Sequence, residues 1–303
     1  MTGSGSFPDP SRPRTSIKVV RQQVESGALQ PPDDDELAIE DPLELVLVAG
    51  SGHPRRRTPL TVTMRTPGHD ADLIAGFLFC EGLIHEADDL THIEWQHPDA
   101  NKPPVRAIIY LRPGLDAQPD RPQRHFVAHA SCGVCGSASI DQLELSPSLK
   151  IQDSVVVDAS WVHALPERMF AHQSTFQKTG GLHAAAIFDQ AGELLVSRED
   201  IGRHNALDKA IGASLARGEL PAHGATLCVS GRMSYEIIQK ALIARIPIIA
   251  GVGAPSSLAV SLANDFQITL LGFVRNRRYN IYSCPERLRP VVEPQPPSPR
   301  VPA

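Results

Sequence analysis

The chain has few cysteines, five in 303 residues. An odd and low count is not the paired framework of a small secreted protein, so the thiols stay available for chemistry in a reducing compartment. Basic charge is not in excess either. The formal net charge is −5, which argues against a general nucleic-acid binder, since those usually show a basic domain. No run of about 18 apolar residues occurs, so no membrane-spanning helix is expected. The segment 1–14 is polar and rich in Gly, Ser and Pro, without the apolar stretch of a secretory signal. These absences point to a cytoplasmic protein with neither nucleic acid nor membrane as a partner.

What is present suits a globular protein. With 42% hydrophobic and 21% charged residues, a chain of this length can bury a full core as one large domain or two smaller ones. Proline is abundant, at 27 residues, much of it in the two ends and in 97–122. Composition predicts disordered tails at 1–30 and 291–303. Between them, 31–128 reads as a smaller N-terminal α+β part and 129–290 as an α/β domain.

In the first part, alternation predicts strands at 43–48 and 60–64. Thr66-Pro67-Gly68-His69-Asp70 then opens a helix carrying Leu73, Ile74, Phe77 and Leu78 at helical spacing, and 105–111 reads as a strand. In the second, a hairpin of 184–188 and 193–196 is followed by a helix at 204–215. Strands at 225–230, 247–251, 267–272 and 279–282 then alternate with helices at 233–245 and 256–264. That interleaving predicts a layered α/β sheet with some parallel strands, covered on both faces. In such sheets ligands sit beyond the carboxyl ends of the strands. Arg198-Glu199-Asp200, Ser230-Gly231-Arg232 and Arg275-Asn276-Arg277 all fall at such ends.

The densest chemistry lies in Cys132-Gly133-Val134-Cys135-Gly136. Two thiols three residues apart can ligate zinc, but a structural site needs two further ligands and there is no second Cys-x-x-Cys. A zinc deaminase needs H-x-E with the glutamate moving protons. Here His183-Ala184-Ala185 puts alanine at that position. A thioredoxin-like pair belongs near an N-terminal βαβ unit. The flanking glycines suit an exposed loop whose thiols hand a group from one partner to another. From local sequence, sulfur carriage, metal ligation and redox exchange all remain open. Cys80 and Cys228, each within an apolar run, read as packing residues, and Cys284 has no evident role.

Further motifs narrow these readings. They are Arg65-Thr66-Pro67-Gly68-His69-Asp70, Thr179 to Ala186, Glu199 to Lys209, Ser230 to Ile237, and Gly272-Phe273-Val274-Arg275 leading to Asn280-Ile281-Tyr282. Their order and content resemble the FdhD/NarQ family of formate dehydrogenase accessory sulfurtransferases, over about residues 40 to 288. The resemblance implies a cytidine-deaminase-like α/β core, usually in a homodimer. It implies an enzyme that accepts sulfur from a cysteine desulfurase as a persulfide, with Cys132 as carrier and Cys135 as its partner. The sulfur then passes to molybdenum bis(molybdopterin guanine dinucleotide), the cofactor of formate dehydrogenase. Phe273, Val274, Arg275, Asn276, Arg277 and Arg278 match the family's cofactor-binding segment. Ser230, Gly231, Arg232 and His183 are further candidates for phosphate or cofactor contact, with no metal held by the protein itself. Two other readings are a cofactor-binding chaperone with idle cysteines and a zinc-dependent deaminase-like enzyme. Asp200, Arg203 and His204 form a loop-to-helix cluster suited to capping and ion pairing.

Overall fold

A computed structural model describes residues 13–50, 55–99, 102–115 and 145–289. Its first ordered elements fall inside the expected N-terminal tail. Strand β1 (Ser16–Arg21) pairs antiparallel with β4 (Asp33–Ala38), and short β2 (Val24–Glu25) and β3 (Ala28–Leu29) close the hairpin between them. The composition of residues 1–30 is tail-like, but its β-branched run Ile17, Val19, Val20 favours a strand. Ser26 and Gly27, at φ 52° and 86°, make the two-residue turn that joins β2 to β3. Arg21 then pairs with Asp35 across the strands at 3.2 Å. The disorder expected for 1–30 is therefore corrected from Ser16 onward.

The next sheet combines β5 (Asp41–Ala49), β6 (Arg56–Arg65), β7 (Leu90–Gln96) and β8 (Arg106–Leu111) in the order β6-β5-β8-β7. Leu43, Leu45 and Leu47 alternate inward along β5 and meet helix α1 (Asp70–Cys80) through Ile74 and Leu78. A linking segment follows the third undescribed stretch, with β9 (Val157–Asp158), α2 (Ala159–Val162), α3 (Leu165–Phe170) and α4 (Ser174–Thr179).

The main sheet contains β10 (His183–Phe188), β11 (Leu194–Asp200), β12 (Thr226–Val229), β13 (Ile248–Gly251), β14 (Thr269–Arg275) and β15 (Arg278–Ser283), in the order β11-β10-β12-β13-β14-β15. Helices α5 (Arg203–Ala216), α6 (Tyr235–Ile243) and α7 (Ser257–Asp265) connect β11 through β14, and β16 (Leu288–Arg289) pairs with β9. The three central strands β12, β13 and β14 are parallel, and the outer pairs are antiparallel. Strand periodicity sorts the side chains. Ala185, Ile187, Leu227 and Ile249 face α5, α6 and α7, while Ala184, Ala186, Phe188 and Ala250 face Val162, Leu165 and Met169 of the linking helices. The fold is thus mixed α/β with both faces of the main sheet covered, as the interleaving predicts.

Helix α1 joins the smaller sheet to the larger one by packing on α5. The approach is so close that a Cβ on Gly76 would strike the Asp208 carbonyl, and one on Gly212 would strike the Asp72 carbonyl. Arg198 of β11 fastens the same junction, with Nε and Nη2 donating to Asp72 Oδ2 at 2.9 and 2.8 Å. Among the described residues, no helix is long and apolar enough to cross a membrane.

Candidate functional site

Register places one edge of the main sheet apart from the rest. Because β12, β13 and β14 run parallel, their carboxyl ends share that edge, and α5, α6 and α7 begin there. The antiparallel partners bring the start of β10 and the end of β11 to the same place, His183 lying opposite Asp200. The β14–β15 turn arrives there too, with Arg275 paired to Arg278. The three polar clusters expected at strand ends therefore meet on one rim. The N-termini of helices of 14, 9 and 9 residues point into it, an arrangement that favours anions.

At the centre of the rim, His183 and Ser230 lie side by side. Ala184 N donates to Ser230 Oγ at 2.9 Å, and Ser230 Oγ is 3.5 Å from His183 Nδ1. Gly231 packs against the imidazole, since a Cβ there would lie 3.3 Å from Nδ1. The His183 imidazole is half-buried, and that burial, with the charges of Arg203 and His204 beside it, lowers its pKa; Asp200 opposes them weakly. Arg203 opens α5 against the Gly231 loop, and its Nε is buried with no partner among the described residues. His204, next along, sets Nε2 2.8 Å from Glu236 Oε2 and 3.3 Å from Ser234 Oγ, tying the start of α5 to that of α6. Burial by itself would raise the Glu236 carboxyl. The hydrogen bond and charge of His204, with Lys240 and Arg203, outweigh it and hold the pKa below the usual range.

Behind this rim stands a buried ionic frame. Asp200 and Lys209 pair at 2.7 Å with side chains 0% and 1% exposed. The second Asp200 oxygen accepts from Gly202 N at 2.8 Å and Asn205 Nδ2 at 3.1 Å, while Lys209 Nζ also donates to Thr66 O at 2.8 Å. Arg65 and Asp70 form a fully buried two-pronged pair at 2.9 and 3.0 Å. Glu199 caps α4, accepting from Thr175 N and Phe176 N. Capping and ion pairing, expected for the cluster at 200–204, thus describe Asp200 and also His204, which pairs with Glu236 at the rim, whereas Arg203 keeps an unpartnered Nε there among the described residues. Sequence alone does not single out Glu236. Ser234 and Glu236 at a helix start look like ordinary capping residues, and the histidine they meet is 32 and 30 positions away from Glu236 and Ser234 respectively.

The segment 273–278 divides. Phe273 N donates to Gly253 O at 3.1 Å, which sets it one strand from Gly231, because a Cβ on Gly253 would lie 2.9 Å from Gly231 O. Val274 is 0% exposed and packs in the core with Ile248 and Leu271, so its side chain is held away from the rim. Arg275, Asn276, Arg277 and Arg278 form an exposed turn, and Arg232 is exposed on its own loop. Phe273, Asn276 and Arg277 all take positive φ, at 56°, 51° and 59°. Non-glycine residues held there are strained, and such strain gathers at binding sites. Cys132 and Cys135 lie outside the described residues. The three described cysteines are buried. Burial pushes the Cys80 thiol well up, the Cys228 thiol up to about 12 and the Cys284 thiol up as well, so all three stay protonated and poorly nucleophilic.

A family model described as FdhD/NarQ matches residues 38–289. The chain belongs to the FdhD/NarQ family. Relatives include the sulfur carrier protein FdhD of Streptomyces avermitilis, 41% identical over 276 residues, covering 89% of this chain and 94% of the relative. That of Sulfolobus acidocaldarius is 39% identical over 272 residues, covering 89% and 98%. A crystal structure of a formate dehydrogenase accessory protein from Desulfotalea psychrophila shares the fold, with a TM-score of 0.69 at 24% identity over 91% of this chain and 100% of that one. The FdhD/NarQ motifs of the sequence thus fall into two groups. Arg65, Asp70, Asp200 and Lys209 build the buried frame, while His183, Ser230, Gly231, Arg203 and His204 are presented on the rim.

Proposed function

We propose that this protein is a sulfurtransferase serving formate dehydrogenase. It takes sulfur from a cysteine desulfurase as a persulfide on Cys132, with Cys135 as partner, and passes it to molybdenum bis(molybdopterin guanine dinucleotide). The single observation behind this reading is the convergence, on one rim, of basic and polar residues from motifs far apart in sequence, in a chain 41% identical to a sulfur carrier protein. In the loading step the Cys132 thiolate attacks the outer sulfur of the desulfurase persulfide. A new S–S bond forms on Cys132 and the desulfurase cysteine leaves as thiolate. Since the described thiols are buried and held protonated, Cys132 and Cys135 are the cysteines suited to this work.

The client cofactor is the substrate that receives the sulfur, and the rim fits its charge. Its phosphates suit Arg203, with its unpartnered Nε, the exposed Arg232, Arg275 and Arg277, and three helix N-termini. A neutral His183 beside Ser230 offers hydrogen bonds without added charge. Complementation tests the reading. In cells lacking their own copy of the gene, the wild-type chain restores formate dehydrogenase activity and the Cys132→Ala, Cys135→Ala double variant does not. Restoration by the double variant would instead favour a cofactor chaperone with idle cysteines.

A further inference from the structure

We infer that a cleft at the far end of α5 is a second binding site, for a small organic cation that carries N–H donors on an apolar body. The cleft encloses about 430 Å³, within the range of small-molecule sites, roughly 300–1,000 Å³. It lies between the β10–β11 turn, the last turn of α5 and the 219–225 loop, at the sheet edge opposite the rim. A helix of 14 residues rises about 21 Å, so the two sites are well separated. None of the cleft's lining residues belongs to the motifs that mark the family.

Two polar atoms in this cleft lack partners among the described residues. Ser214 lines it, is 1% exposed, and its Oγ makes no hydrogen bond among the described residues. Glu219 lines it as well. Its Oε1 lies 3.9 Å from Arg217 Nη1, while its Oε2 is buried and unpartnered. Arg217 is itself engaged, donating from Nη1 to Leu195 O at 2.7 Å. A buried acceptor without a donor is costly, and a ligand N–H removes that cost.

The surrounding charge selects a cation. Asp189 adds a second carboxylate to the wall, one oxygen of which accepts from Ala191 N and Glu193 N. The carboxyl end of α5 contributes the negative end of its dipole. The remaining basic group on the wall, His223, is already set against Asp153 at 3.1 Å. Ile187, Leu195, Ala222 and Ala225 supply the apolar surface. A planar amidinium or guanidinium matches a carboxylate with two parallel N–H bonds, and its organic body would meet the apolar wall.

Benzamidine is the probe, titrated into the full chain by calorimetry with amide chemical shifts followed in parallel. Saturable binding is expected, with shifts confined to Ala191, Ser214 and 219–225. Benzoate, which has the same ring and the opposite charge, should not bind. Glu219→Gln should weaken benzamidine about tenfold or more, the loss expected for a charged hydrogen bond. Ser214→Ala removes a hydroxyl that has no partner, so it should leave thermal stability unchanged or higher while still weakening benzamidine. That variant keeps the test sound if Glu219→Gln folds poorly. Absence of saturable binding, equal binding of benzoate, or undiminished affinity in both variants would overturn the inference.

Discussion

The charge state of His183 follows from its neighbours. Its half-burial, with Arg203 and His204 beside it, disfavours the imidazolium, so the ring is neutral at pH 7. Its pKa in the folded chain lies below the ordinary value of about 6.5. The folded state therefore binds the proton less readily than the unfolded one. The contribution of His183 favours folding above that ordinary value and is lost as the pH falls below it. Titration followed by imidazole NMR should give a midpoint under the ordinary value, and Arg203→Met should move it upward. A midpoint unmoved by that substitution would separate Arg203 from the rim. The residue types at this site were legible in the sequence, because His183 and the Ser230 loop stand at strand ends where ligands gather. The partners Glu236 and Ser234 were not, since only the parallel placement of α5 and α6 brings them to His204.

Strands and helices with a clear hydrophobic period were readable to within a few residues: β5, β6, α1 and β8 in the first part, and β10 through β15 with α5, α6 and α7 in the second, whereas β7 went unread. The missed elements share a physical feature: they are short, or their burial comes from one side only. The β1–β4 hairpin buries little, with Val20 71% exposed, and so carries no inward alternation to detect. Helices α2, α3 and α4 hold only 4 to 6 residues each, too few to establish a period. Two element-level contacts carry measurable weight. Lys209→Met leaves the buried Asp200 carboxylate without its counter-charge, and breaking such a pair costs about 3–5 kcal/mol. Urea unfolding should show that loss. Gly212→Ala tests the α1–α5 crossing: alanine favours a helix by roughly 1 kcal/mol. Here its methyl would strike the Asp72 carbonyl, and overpacking of this kind costs about 1–3 kcal/mol. A net fall in stability is expected, and a rise would show that the two helices can part.

Across the whole molecule, the frame and the rim are coupled through the same stretch of chain. Asp200 locks to Lys209 and Thr66 while, three and four residues on, Arg203 and His204 face outward. Sequence revealed the motif but not this division of labour, because a fully buried charge and a partly buried one at the rim are written with the same residue types. Val274 shows the converse: it sits inside a basic ligand-like segment, yet strand alternation turns it into the core. The central claim is that this chain carries sulfur on its cysteine pair. The direct measurement is mass spectrometry of the chain after incubation with a cysteine desulfurase and cysteine. The gain of one sulfur atom, released by reductant, is expected on the peptide holding Cys132 and Cys135 and on none of the peptides holding Cys80, Cys228 or Cys284. No such gain, or the same gain in the Cys132→Ala, Cys135→Ala double variant, would contradict it.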